Sequence, residues 1–493
     1  MNFQDESLPD RFSIRSFSTI ILPTVRPFCQ PLRALAPSLP SPASMTKAFM
    51  SDQSSGPIRI QSLAKDTGVA ILIQGLGLVL VYFSRVYLAR WMGNTEYGIY
   101  EYVCSWSLLL ATLAGLGFPR TVLRFVSQYR VKQAWGLLRG IIRGSWWTTV
   151  ASGTLLALLS TIVVLLLDHY SPFIYAKPLL VGIWLIPLQA LMNLQLETAR
   201  ALDDVTLAYA PTQIIWPVLV LGAGAFLLQE NHGVTSLPLV GAATVLLLVV
   251  ILWQLWLLAQ KLEEEVVPAT PIYAQGEWMR VAVVLLLQNA FVIILQQTDI
   301  VMVGSILGPE EAGIYGAAVK TAMWVAVVLQ TVNMVAAPAF TMLYTRNELK
   351  ELQALVSTVT LWIFWPSLGI AFVLLIFAPD VMGLFGVSFV AGTWELKILV
   401  LGQLVSALCG SVGYLMAMTG HQNKSVVVFG SAALINLTLN SIAIPIVGGV
   451  GAALTTAFTM AIWNIWLSIL VVRHVGVSPS VFYLLFKKDE LPT

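Results

Sequence analysis

QNAFVIILQQTDIVMVGSILGPEEAGIYGAAVKTAMWVAVVLQTVNMVAAPAFTMLY, residues 288–344, reads as two long apolar helices joined by the polar turn Gly308-Pro309-Glu310-Glu311. One acid, Asp299, and one base, Lys320, stand inside sequence otherwise compatible with hydrocarbon. An isolated charge at the centre of a membrane helix costs about 2.5–3.5 kcal/mol on insertion scales, so each must face a partner or a wet cavity. Both are therefore candidate functional residues.

The same hairpin occurs earlier in the chain. In FSRVYLARWMGNTEYGIYEYVCSWSLLLATLAGLGFPRTVLRF, residues 83–125, Gly93 and Tyr97-Gly98-Ile99-Tyr100 stand 215 positions before Gly308 and Ala312-Gly313-Ile314-Tyr315. Before the turn the register slips by one, and Gln74 and Arg85 keep the eleven-residue spacing of Gln288 and Asp299. Repeated halves of this kind are a feature of transporters.

Composition agrees. Of 493 residues 57% are hydrophobic and 11% charged, and mean hydropathy is +0.81, which excludes a soluble globular chain and selects an all-α polytopic membrane protein. Cys29, Cys104 and Cys409 form no disulfide framework or CxxC site. His169, His232, His421 and His474 lack metal-ligand spacing, so no metal is implied. There is no nucleophile elbow, phosphate-binding loop or paired-carboxylate constellation, so nothing marks the chain as an enzyme.

Residues 1–57 carry eight prolines and no run long enough to span, and are expected to be a disordered extension or a mis-started piece, with Met45 and Met50 shortly before the first apolar span. From about residue 67 to about 472, windows of roughly 20 apolar residues predict about twelve transmembrane helices. They divide into two pseudo-symmetric six-helix lobes, 58–265 and 266–475, around a central cavity, with 476–493 as an interfacial tail. The linker is QKLEEEVVPATPIYAQGE, residues 260–277. Arg120, Arg124, Arg130, Lys132, Arg139 and Arg143 crowd one connection without any acid between Glu101 and Asp168. The positive-inside rule places that connection, and with it both termini, in the cytoplasm.

Gln74 and Arg85 lie about 20° apart on one helical stripe. Gln288, Gln296 and Asp299 share another stripe, with Asn289 and Gln297 beside it, and Gln330 and Asn333 continue a polar face beyond Lys320. Such amides are expected to face the space between lobes, or to form an inter-helix ladder without a ligand. The expected cavity sets Arg85 and Lys320 against Asp299 and Glu101. Fixed cations suit a phosphate or diphosphate, and a carboxylate suits proton or sodium coupling, although a salt bridge from Asp299 to Arg85 or Lys320 gives the same pattern.

The repeated Gly-Ile-Tyr hairpins, Thr298-Asp299 before IVMVGSILGPEEAGIYGAA, Ala-Pro-Ala-Phe at 337–340 and NLTLNSIAIPIVGGVGAA at 436–453 resemble one family. It is the polysaccharide transporter (oligosaccharide and O-antigen flippase) branch of the multidrug, oligosaccharidyl-lipid and polysaccharide flippase superfamily. The resemblance implies a V-shaped twelve-helix fold and alternating access. It implies flipping of a polyprenyl-diphosphate-linked oligosaccharide across the plasma (inner) membrane for polysaccharide or lipopolysaccharide synthesis. Arg85 and Lys320 match the headgroup role, with Gln74, Gln288, Gln296 and Asn333 as further substrate contacts and Asp299 and Glu101 as coupling-ion or charge partners. Membrane lipids, a polymerase and glycosyltransferases are the implied partners; no cofactor and no nucleic acid is. A multidrug and toxin extrusion antiporter, a lipid II flippase, and a membrane scaffold without transport remain the alternatives.

Overall fold

The computed structural model describes residues 58–231 and 233–481. The described part of Asp66–Thr493 forms one compact unit, and of the preceding unit only the opening turns of the first helix are described. Most of the expected extension, and residues 482–493 of the expected tail, lie outside the described residues.

Among the described residues every regular element is helical. The first lobe comprises α1 (Ile58–Ala114), α2 (Phe118–Val131), α3 (Trp135–Tyr170), α4 (Ala176–Gly182), α5 (Leu185–Ala201), α6 (Val205–Ala210), α7 (Trp216–Asn231) and α8 (Ser236–Glu265). The second comprises α9 (Gln275–Ile306), α10 (Pro309–Thr345), α11 (Leu349–Ile376), α12 (Ala378–Gly383), α13 (Thr393–Cys409), α14 (Val412–Met418), α15 (Gln422–Val447) and α16 (Gly449–His474). The chain is an all-α, multi-pass membrane protein.

Among the described residues ten helical segments qualify as membrane spans by length and apolarity, and the bent run of Ile73–Ala114 with Phe118–Val131 makes eleven. A straight helix over Ile73–Ala114 would run roughly 60 Å, about twice the hydrocarbon core. Gly93, at φ 76° and ψ 174°, breaks it with almost the backbone of Gly308 at φ 102° and ψ 178°, the turn between α9 and α10. Counting the two rods of α1 separately gives the twelve crossings expected from the repeat.

Several expected boundaries move. The basic stretch after residue 118 is helical rather than a loop: the chain bends by 46° and continues as α2, burying Phe118, Val122, Phe125, Val126 and Tyr129 while Arg120, Arg124 and Arg130 take the other face. One apolar stretch in the second lobe is interrupted, because Gly410 at φ 70° separates α13 from α14. Pro211 lacks the N–H that would continue α6, and the helix widens into a π-turn over Pro211–Ile215. The linker is held against α3, where Ile272 N–H donates to Gly136 O at 2.9 Å and Arg139 donates to Val266 O at 3.0 Å.

Outward faces are what hydrocarbon requires. On α3, Leu155, Leu158, Leu159, Ile162, Val163 and Leu166 are about half exposed, and water would charge heavily for that area. In the core, Trp278 Nε1–H donates to Tyr129 Oη at 3.0 Å.

Candidate functional site between the lobes

The two repeat hairpins pack tip against tip. A Cβ at Gly98 would lie 1.7 Å from Pro309 O, and a Cβ at Gly313, its repeat equivalent, would lie 2.2 Å from Asn94 O. The contact is reciprocal, as a pseudo-twofold axis demands, and only glycine permits it. Asn94 Nδ2–H donates to Glu310 Oε1 at 2.7 Å beside it. Further bonds cross the lobes nearby: Tyr102 Oη with Ser305 Oγ at 3.0 Å, Tyr175 O–H to Gly304 O at 2.7 Å, and Tyr82 Oη with Thr321 Oγ1 at 3.3 Å.

One turn deeper sits Glu101, 1% exposed. Its Oε1 accepts from Arg85 Nη1 and, at 2.8 Å, from Tyr97 O–H one turn earlier on the same rod. Across the joint, Lys320 Nζ stands 3.9 Å from Oε2. Arg85 also lies 5.3 Å from the centre of the Tyr100 ring. The two cations expected from the sequence are thus brought together, and the acid between them is Glu101 rather than Asp299. Their side chains remain 19% and 22% exposed, against 1% for the carboxylate.

Asp299 has a separate environment within the second lobe. Asn440 Nδ2–H donates to its Oδ1 at 2.7 Å, while Thr456 O–H and, at 3.3 Å, Tyr315 O–H donate to Oδ2. Asn436 extends the set, accepting from Asn440 at 3.1 Å and donating to Thr456 Oγ1 at 3.4 Å. Among the described residues Asp299 has no ion pair, so every partner of this 3%-exposed carboxylate is neutral. Asn440 Oδ1 is buried without a donor. A cavity of about 250 Å³ within the second lobe reaches from Asp299 to Lys320, lined also by Gln296, Gln330, Thr456 and Trp463 among others.

The remaining candidates are dispersed. Gln296 is exposed to this cavity, but Gln74 lies beside the Tyr209 hydroxyl inside the first lobe, away from the cation pair. Gln288 is half-buried with no hydrogen-bond partner among the described residues, and Asn333 is buried with its Oδ1 unpaired. Asn440, Asn436, Thr456 and Tyr315 were missed as site residues, although Asn436 and Asn440 stand one helical turn apart, where two amides share a face.

A paired-lobe membrane bundle built from repeated hairpins is an architecture found among transporters. Residues 63–344 match the family described as polysaccharide biosynthesis protein, and the chain belongs to that family. No curated protein matches in sequence. Solved structures share the fold. A multidrug resistance MATE family transporter of the MOP superfamily, in an inward-facing conformation, aligns with TM-score 0.63 and 12% identity over 85% of this chain and 100% of its own. The lipid II flippase MurJ, in an inward closed conformation, gives 0.62 and 14% over 86% and 94%. A MOP superfamily transporter from Pyrococcus furiosus, for which a reversed polarity of the binding pocket is described, gives 0.57 and 13% over 82% and 94%.

Proposed function

We propose that this protein flips a polyprenyl-diphosphate-linked oligosaccharide from the cytoplasmic to the outer leaflet of the plasma membrane by alternating access. The reading is carried by the partly exposed pair Arg85 and Lys320, one from each lobe, meeting over a single carboxylate. Two cations against one acid leave an unbalanced positive charge, which favours an anionic headgroup over the cations that a drug antiporter would export. With the basic connections cytoplasmic, the sealed hairpins mark the outer side and the cavity receives substrate from the side where nucleotide-sugar-dependent transferases work. Both termini are then cytoplasmic, and a polymerase would consume the product outside.

Asp299 serves in this reading as the coupling site. A buried carboxylate among Asn440, Asn436 and Thr456 oxygens, without a fixed cation, suits a proton or sodium ion supplied by the membrane gradient. Translocation is tested in a flippase-deficient strain by labelling lipid-linked oligosaccharide in the outer leaflet, with protein level measured alongside. Wild type should restore the label and Arg85→Ala or Lys320→Ala should not. Restoration by both variants would end the headgroup assignment, and drug resistance conferred by wild type would favour the antiporter.

A further inference from the structure

Glu101 does more than neutralise its neighbours. Its carboxylate is 1% exposed, while Arg85 and Lys320, which hold it, keep 19% and 22% of their side-chain surface open, and Lys320 lines the cavity. Among the described residues Arg85 makes no hydrogen bond apart from that to Glu101, although a guanidinium carries five N–H donors. Lys320 makes none, since 3.9 Å is beyond hydrogen-bond length. Donors of both cations therefore remain free for a second acceptor. The attachment also crosses the lobes: Glu101 lies one turn beyond Gly98 on the first lobe and Lys320 two turns beyond Gly313 on the second, directly behind the tip contact. A Cβ at Gly316 would come within 3.3 Å of Glu101 Cγ, so the carboxylate side chain reaches the partner helix itself.

We propose that Glu101 is a tethered carboxylate occupant of the Arg85–Lys320 site, which a substrate's diphosphate displaces, so that headgroup binding and release of the inter-lobe joint are one event. This rests on the assignment of Arg85 and Lys320 to the headgroup. A diphosphate offers more acceptor oxygens and more charge than one carboxylate, and it engages donors that Glu101 leaves unused. When it takes Lys320, the ion pair that ties the lobes is gone, while Tyr97 O–H still caps Glu101 within its own lobe. A carboxylate that merely orients Arg85 predicts the opposite: its loss would weaken anion binding.

The probe is inorganic pyrophosphate, titrated by calorimetry into the purified full-length protein. Glu101→Gln should bind it about tenfold more tightly than wild type, because a competing charge is removed, and Glu101→Asp should stay near wild type. Equal or weaker binding by Glu101→Gln overturns the proposal. Disulfide formation between Asn94→Cys and Glu310→Cys provides a second reading that needs no change at Glu101. Pyrophosphate should slow it severalfold, and an unchanged rate overturns the proposal even where Glu101→Gln fails to fold. If Arg85→Ala and Lys320→Ala bind pyrophosphate as wild type does, the headgroup assignment itself fails. If those variants lose binding while Glu101→Gln gains none, only the exchange fails.

Discussion

Glu101 on the first lobe and Lys320 on the second face each other at 3.9 Å, immediately behind the point where Gly98 and Gly313 bring the two repeat hairpins into backbone contact. Charge and closure are thus one structural unit, and the consequences of disturbing it are specific.

Closure depends on the missing side chains. Gly98→Val or Gly313→Val cannot be accommodated, since the added carbons would overlap Pro309 O or Asn94 O. Either change should leave the protein in the membrane but lower the yield of the Asn94→Cys/Glu310→Cys crosslink severalfold. An undiminished crosslink in both variants would show that the hairpins do not meet this way.

Removing one cation has two effects that separate experimentally. Arg85→Ala deletes a charge-assisted contact worth about 1.5–3 kcal/mol, a tenfold to hundredfold loss of headgroup affinity. It also strands a buried carboxylate, which lowers protein stability. Adding Glu101→Gln should restore the melting temperature without restoring translocation, and recovery of both would make the pair purely structural.

Asp299→Asn retains size and hydrogen bonding but removes the charge inside its neutral cradle. In proteoliposomes, transport by wild type should respond to an imposed sodium or proton gradient, and the variant should respond to neither while its pyrophosphate affinity stays within about threefold. Gradient-driven transport by Asp299→Asn would remove the carboxylate from the coupling role.

At the end of the first lobe, Asp204 caps α6 through Leu207 N–H at 2.9 Å and binds Lys261 at 2.8 Å. Burial raises its pKa, but these partners outweigh it and hold the carboxyl below its usual 3.8. Its contribution to stability is present above that value and fades as pH falls through the lower folded pKa. Asp204→Asn keeps the cap and loses the ion pair, so its melting temperature in detergent should fall slightly below wild type at pH 7, for a pair worth no more than about 1 kcal/mol. The gap should narrow as pH falls through the lowered pKa of the folded carboxyl.

The sequence disclosed the hairpins, the membrane class and the two cations because each rests on local pattern: apolar windows, a repeated turn, a charge where hydrocarbon forbids it. It did not disclose which acid meets which base. Asp299 has the more conspicuous setting in sequence, but its carboxylate is claimed by Asn440 and Thr456 from two helices far along the chain, leaving Glu101 to the cations. Glu101 lies only a few residues from the turn in sequence, and the folded hairpin is what turns it inward. Likewise α2 read as a basic loop because arginines mask its apolar stripe, and Gln74 shared a stripe with Arg85 without sharing its cavity.

The most direct test reconstitutes the purified protein with a fluorescent polyprenyl-diphosphate disaccharide and measures how much becomes accessible to an impermeant reagent on the far leaflet. Rapid exchange is expected with wild type, exchange reduced at least about tenfold with Arg85→Ala or Lys320→Ala, and none with protein crosslinked between Asn94→Cys and Glu310→Cys. Exchange at the protein-free rate with wild type, or undiminished exchange with both alanine variants, would contradict the flippase reading.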